Sequence, residues 1–350
     1  CYGHSANRLI DLVRVFVRHI RGGMSIATAA GCLLFGAISG SSQATLVAIG
    51  RPMFPELLQG GYKEKDALAV ITAACSLAML IPPGTCMILY GVVTGTSIGN
   101  IFIAGILPGI LVFILLAGYS FFVYGKLPRL PRASLGDVFR VTKRALPTLG
   151  FPIIIMGGIY SGLLTPTEAA VAAVLYALIL EMLLYRTINV KALCRIAVSS
   201  GMVSAAVFII IAGGNVLSWL VSYARLPQEI LPVLLGPEPT ALYILVVASL
   251  MFFLGALLVD PFILIIILCP MFLPSVLKAG IDPVHFGIIV IMQAVLGNIT
   301  PPFGPNIFTA CAVFNKPYLD VIRGIAPYIA ILAISSVLII FFPQISLILL

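Results

Sequence analysis

Four short stretches of this chain carry groups able to coordinate or hydrogen-bond a ligand, and each interrupts an apolar run. They are Ser39-Gly40-Ser41-Ser42, Ile81–Gly84 with its Pro82-Pro83 pair, Leu257–Pro261 with Asp260, and Thr300–Gly304 with Pro301-Pro302. The chemistry they offer is binding rather than bond-making. A serine or threonine hydroxyl can donate to a carboxylate or accept from a cation. A helix broken inside a membrane leaves backbone N–H and C=O groups unpaired, which is tolerable only where they are buried in protein or line a wet cavity. Freed carbonyls suit Na⁺, and half-helix N-termini suit carboxylates. Bland alternatives stand beside each reading. A proline kink packs a helix, the serines can bond back to their own helix, and Asp260 can serve as an N-cap. Asn298 and Gln293 could act as polar glue between helices. His19 and His285 lie near span boundaries and are expected at the interface. Glu168 follows Thr165-Pro166-Thr167 and fits the first turn of a helix. No Ser/His, paired-Asp or HExxH arrangement appears at membrane depth, so no catalytic residues are expected. The seven cysteines are scattered with no CxxC and no Cys/His cluster, as small buried hydrophobes would be.

The elements that must position these groups are membrane helices. Hydrophobic residues make up 61% of the 350 residues and charged residues 9%, with mean hydropathy +1.17; soluble domains carry roughly 25% charged residues. Apolar runs of about 20 residues recur without the alternation of barrel strands, so the expected fold is an all-α polytopic membrane protein. Residues 1–23 hold an amphipathic arm helix with Arg8, Arg14, Arg18 and Arg21. Residues 24–125 comprise a hairpin (24–58), a broken helix (67–95) and a span (101–125). Residues 126–240 comprise a basic loop (126–145), spans near 146–163, 168–185 and 200–219, and a loop at 220–240. Residues 241–350 repeat the first pattern, with a hairpin (241–277), a broken helix (284–313) and a last span (324–343). The net charge of +8 sits mostly in short loops. Lys126, Arg129, Arg132, Arg140, Lys143 and Arg144 against Asp137 place 126–145 in the cytoplasm and 220–240 in the periplasm. No phosphate-binding loop is present, so an ion gradient or another subunit must supply any driving force.

The two patterns match at a fixed offset of 219 residues without a gap. Gly36-Ala37 pairs with Gly255-Ala256, Pro55, Leu58 and Gly61 with Pro274, Leu277 and Gly280, Pro82-Pro83 with Pro301-Pro302, and Gly105-Ile106 and Pro108 with Gly324-Ile325 and Pro327. Matched prolines and glycines mark matched backbone geometry. The charge map gives the halves opposite orientations. Inverted repeats with paired broken helices point to a secondary transporter with its site at the repeat interface.

At FGAISGSS (35–42), LIPPG (80–84), TSIGNIFIAGILPGIL (96–111), LTPTEAA (164–170), LVDPF (258–262), GIDPVHFGI (280–288) and ITPPFGPNIF (299–308), the chain resembles the large membrane subunit, of DctM type, of tripartite ATP-independent periplasmic (TRAP) transporters. The resemblance covers essentially the whole chain. It implies a Na⁺-driven elevator in the bacterial inner membrane that takes up an organic acid such as a C4-dicarboxylate or sialic acid. It also implies two partners, a small four-helix membrane subunit and a periplasmic substrate-binding protein. Carried over by motif, one Na⁺ site would use Ser39, Ala78, Ile81 and Pro83, and the other Ala256, Gly297, Thr300 and Phe303. Substrate contacts would fall on Ser41, Ser42 and Asp260, with Ser41 and Asp260 facing each other. Family members often carry Ser where this chain has Gly84, which shifts a hydroxyl contact onto Thr85. Sodium is the only metal ion expected. The family begins with further spans before the segment like ANRLIDLVR, so an N-terminal piece is expected ahead of Cys1. The competing readings are a stand-alone sodium- or proton-coupled anion carrier of a related inverted-repeat class and, further off, an intramembrane enzyme.

Overall fold

A computed structural model describes residues 5–128 and 131–350, and no strand occurs among them. The arm is α1 (Ser5–Val17), whose Leu9, Ile10, Leu12 and Val13 are buried. The first hairpin runs down α2 (Gly23–Ser39) and returns through α3 (Ser42–Thr45), a π-helical stretch (Leu46–Gly50) and α4 (Arg51–Gln59). The first broken helix is α5 (Glu64–Cys75), α6 (Leu77–Leu80) and, past the Pro82-Pro83 pair, α7 (Thr85–Thr94). Next come α8 (Ile98–Val123), α9 (Leu135–Tyr160), α10 (Pro166–Leu178) with a π-helical extension (Ile179–Leu184), α11 (Val190–Tyr223) and α12 (Leu226–Leu235). The second hairpin is α13 (Ala241–Ala256) and α14 (Pro261–Lys278). The second broken helix is α15 (Pro283–Gly297) and α16 (Pro305–Phe314), followed by α17 (Tyr318–Ile322), α18 (Ala326–Phe341) and α19 (Gln344–Leu347).

Local chemistry explains where these helices begin. Ser97, Ser134, Asn189, Thr240 and Asp282 each cap a first turn through a side-chain oxygen. Thr165 and Glu168 form a reciprocal capping box at α10, which bears out the reading of Glu168. Proline opens α14, α15 and α16, where its missing N–H costs nothing. Both Pro82-Pro83 and Pro301-Pro302 are cis.

The core lies where the two hairpins meet the two broken helices. Every residue of α15 from Val284 to Gly297 is buried, packed among α13, α18, α8, α6, α14 and α7. The first broken helix is almost as enclosed: 94% of its most apolar window is buried, against none for α11.

Three expectations need correction. The segment 126–145 is not all loop, because α9 starts at Leu135 and carries Arg140, Lys143 and Arg144 on its first turns; Arg129 lies outside the described residues. The segment 220–240 contains α12, whose Pro227 sits in the tolerant first turn. His285 is not interfacial. It is 2% exposed, with Nδ1 at 3.2 Å from Ser346 Oγ, because α19 folds back across the start of α15.

Candidate ion and substrate site

The first hairpin turns at Gly40, which closes α2 in the left-handed region (φ 61°) and donates to Gly36 O at 2.8 Å. A Cβ at Gly40 would stand 2.1 Å from Pro83 O, so the tip touches the backbone of the first break and only glycine fits. Two bonds hold the contact: Thr85 donates to Gly40 O from both its backbone N and its Oγ1, each at 3.2 Å. Ser41 is extended and caps α3 by accepting from Ala44 N at 3.4 Å. Thr45 Oγ1 donates to Ser41 O at 2.8 Å and lies 3.2 Å from Ser39 Oγ. The second tip is plainer. Asp260 occupies the position matching Ser41 and caps α14 by accepting from Phe262 N at 2.9 Å.

The breaks meet the tips through close backbone packing. A Cβ at Gly36 would lie 2.7 Å from Ala78 Cα, and one at Gly297 would lie 2.3 Å from Ala256 Cβ. Ser39, Ala78 and Pro83 are thereby gathered where the C-termini of α2 and α6 converge, and Ala256 and Gly297 where α13 and α15 end. Ile81 is buried in the first break and Thr300 in the second; Thr300 Oγ1 donates back to Leu296 O at 2.6 Å. Phe303 is 36% exposed and packs on Phe308.

Between the tips lies a cavity of 30 Å³ lined by Ser42, Gln43, Thr85, Asp260 and Asn298, among others. Ser42, Thr85, Pro261 and Pro305 are the first residues of α3, α7, α14 and α16, and all four border this cavity. Four helix N-termini thus point their partial positive charge at one space. Asp260 is the only charged residue on its wall among the described residues. Ser41 is not on that wall: its hydroxyl turns to its own helix and to Gln43, so Ser42 rather than Ser41 shares the cavity with Asp260.

Asn298 proves central. It is 1% exposed, and its Nδ2 donates to Ser42 Oγ at 2.8 Å and to Met79 Sδ at 3.2 Å. Two residues escaped the sequence reading. Gln43 receives the hydroxyls of Ser41 and Ser42. Asn306, fully buried, bonds Ser76 Oγ at 3.0 Å and Thr72 O at 3.3 Å. The available signal was an amide beside a break in an apolar run, Ser39–Ser42 for Gln43 and Thr300–Gly304 for Asn306.

A family description, "Tripartite ATP-independent periplasmic transporter, DctM component", matches residues 3–345. The chain belongs to the DctM-type large permeases of TRAP transporters. It is 46% identical over 347 residues to the ectoine TRAP transporter large permease of Halomonas elongata and 48% identical over 347 residues to the ectoine/5-hydroxyectoine permease of Ruegeria pomeroyi. It is 36% identical over 349 residues to the C4-dicarboxylate permease of Pseudomonas aeruginosa. Each match covers 99% of this chain and 81% of the relative. This DctM-type chain is therefore an inner-membrane transporter component and not an enzyme.

Proposed function

We propose that the protein drives sodium-coupled uptake of a small carboxylate-bearing solute, with a periplasmic binding protein delivering the solute and a small four-helix membrane subunit completing the permease. The observation that carries this reading is the convergence of four helix N-termini on one cavity, a geometry that attracts a carboxylate. The opposite ends support the ion sites. The C-termini of α2 and α6 meet at Ser39, Ala78, Ile81 and Pro83, and those of α13 and α15 at Ala256, Gly297 and Thr300, where partial negative charge favours a cation. Phe303 would add only its carbonyl. An inverted-repeat, elevator-type arrangement is supported by one contact: Met79 and Asn298, partners under the 219-residue offset, touch each other. Equivalent atoms meet across a two-fold only near its axis.

The substrate class follows from the cavity and the relatives together. Ectoine is a cyclic zwitterion that joins a carboxylate to a delocalised amidinium. The helix N-termini with Ser42 and Thr85 would hold its carboxylate, and Asp260 would pair with the amidinium. We therefore place an ectoine-type zwitterion ahead of a C4-dicarboxylate, whose second carboxylate would face Asp260. A cavity of 30 Å³ holds about one water, so the tips must part to admit any such solute.

Proteoliposomes with the permease, its small subunit and the binding protein provide the test. Uptake of labelled ectoine is expected with an inward Na⁺ gradient, and succinate is expected to be carried poorly. Full uptake in Na⁺-free buffer under a proton gradient would overturn the coupling ion. Succinate uptake exceeding ectoine would overturn the substrate class. Uptake unchanged by omitting the binding protein would favour a stand-alone carrier.

A further inference from the structure

Gln43 is exposed and borders the cavity between the hairpin tips. A chain of hydrogen bonds fixes which way its amide faces. The sulfur of Met79 has no proton to give, so Asn298 turns its N–H₂ group toward it, at 3.2 Å. The same group donates to Ser42 Oγ at 2.8 Å. Ser42 then gives its own proton to Gln43 Oε1 at 3.1 Å. Ser41 accepts from Ala44 N and gives its proton to the same oxygen at 3.4 Å. Two incoming protons need an oxygen between the serines, so the Gln43 nitrogen is turned away from both. It makes no hydrogen bond among the described residues.

The other donors on the wall are already committed. Thr85 spends both its backbone N–H and its hydroxyl on Gly40 O, and Asn298 spends its amide on Ser42 and Met79. No lysine or arginine borders the cavity among the described residues. A carboxylate that drew on Ser42 or Thr85 would first have to break one of these bonds, whereas the Gln43 N–H₂ group stands free. The second tip offers the opposite polarity. Asp260 gives one carboxylate oxygen to Phe262 N at 2.9 Å and keeps the other. The wall therefore has a neutral donor on one tip and an anionic acceptor on the other.

We infer that Gln43 is a specificity-determining residue for uptake. Its amide N–H₂ receives the solute's carboxylate at the first tip, which turns the cationic end of the solute toward Asp260. This inference rests on the carboxylate reading of the cavity proposed above, and it adds the residue that selects and orients that group.

The test is solute binding to the full-length permease with its small subunit, in detergent and Na⁺ without the binding protein, read from thermal stabilisation. The probes are ectoine and its primary carboxamide, which keeps the amidinium and loses the carboxylate. Gln43→Glu keeps an oxygen for Ser41 and Ser42 but has no N–H to offer. Wild type is expected to prefer ectoine to the carboxamide by at least about tenfold. Gln43→Glu should lose about tenfold for ectoine while holding the carboxamide, with hydrogen exchange at residues 40–45 unchanged. A preference for ectoine that survives in Gln43→Glu overturns the role of Gln43 alone, and so does an equal loss for both probes. A wild type with no preference overturns the carboxylate reading itself. If wild type binds succinate better than ectoine, the zwitterion class fails, and succinate against its diamide then tests Gln43 in the same way. Should Gln43→Glu fail to fold, Gln43→Leu decides: loss of the preference supports the inference, and its retention overturns it.

Discussion

The two hairpin tips occupy matching places in the chain but are held in different ways. The first is polar and tied down. Gly40 O takes two bonds from Thr85 across the break, and Ser42 Oγ takes one from Asn298 in the other half of the molecule. The second makes no hydrogen bond to another element among the described residues. Its Asp260 bonds its own helix, its turn closes through Val259 N to Gly255 O, and Leu258 is 72% exposed. One tip is therefore anchored by directional bonds and the other by packing at Ala256 and Gly297. Packing without directional bonds lets a segment move with less to break, so the second tip is the one expected to open the cavity.

Four substitutions break or sharpen this contrast. The largest effect belongs to Gly40→Val. A side chain there must displace Pro83 O and hold φ at 61°, at a cost on the order of 3 kcal/mol. Membrane yield and detergent melting temperature should both collapse, whereas the matching Val259→Ala should be tolerated; equal tolerance at both positions would erase the contrast.

Next is Asp260→Asn, which keeps a cap oxygen for Phe262 N but removes the only charge that the described residues place on the cavity wall. Ectoine uptake should fall at least about tenfold at near-normal yield. Loss of yield with normal specific activity would make Asp260 a structural cap alone.

Asn298→Ala comes third. It cuts the bond to Ser42 and leaves that buried hydroxyl short of a donor, for roughly 1–2 kcal/mol. The expected readout is faster hydrogen exchange at residues 40–45 with no change at 257–260. Acceleration confined to the second tip would mean that Asn298 does not anchor the first.

Smallest is Thr85→Val, which removes one of two bonds to Gly40 O, worth about 0.6 kcal/mol inside a membrane protein. Exchange at Gly40–Ser42 should rise slightly while uptake persists. An uptake loss larger than that of Asp260→Asn would move the substrate contact from Asp260 to Thr85.

Much of the site was legible because a membrane makes polarity conspicuous. Serines, an aspartate and proline pairs inside apolar runs are expensive unless they line a cavity or a break, so Ser42, Thr85, Asp260 and Thr300 stood out. The direction of each side chain did not. Ser41 and Ser42 are adjacent and chemically alike, yet Ser41 caps its own helix while Ser42 reaches Asn298. One residue of helical phase decides this, and composition does not encode it. Asn298 showed the right type but not its partners, which lie 256 and 219 residues away.

The chain alone determined the ladder of apolar helices, the four interruptions and their spacing, because these follow from local chemistry: proline removes a donor, glycine reaches left-handed φ, and an apolar run of sufficient length must be helical in lipid. Tertiary structure decided which apolar helix is interior. The run Glu64–Thr94 is 94% buried in its most apolar window, while α11, the more apolar of the two, has none of its window buried. Lipid and protein interiors are both apolar, so hydropathy cannot distinguish them. What places α15 and the first broken helix against their hairpins is the close approach permitted at Gly36–Ala78 and Gly297–Ala256, and that complementarity exists only once each hairpin has packed on the broken helix of its own half.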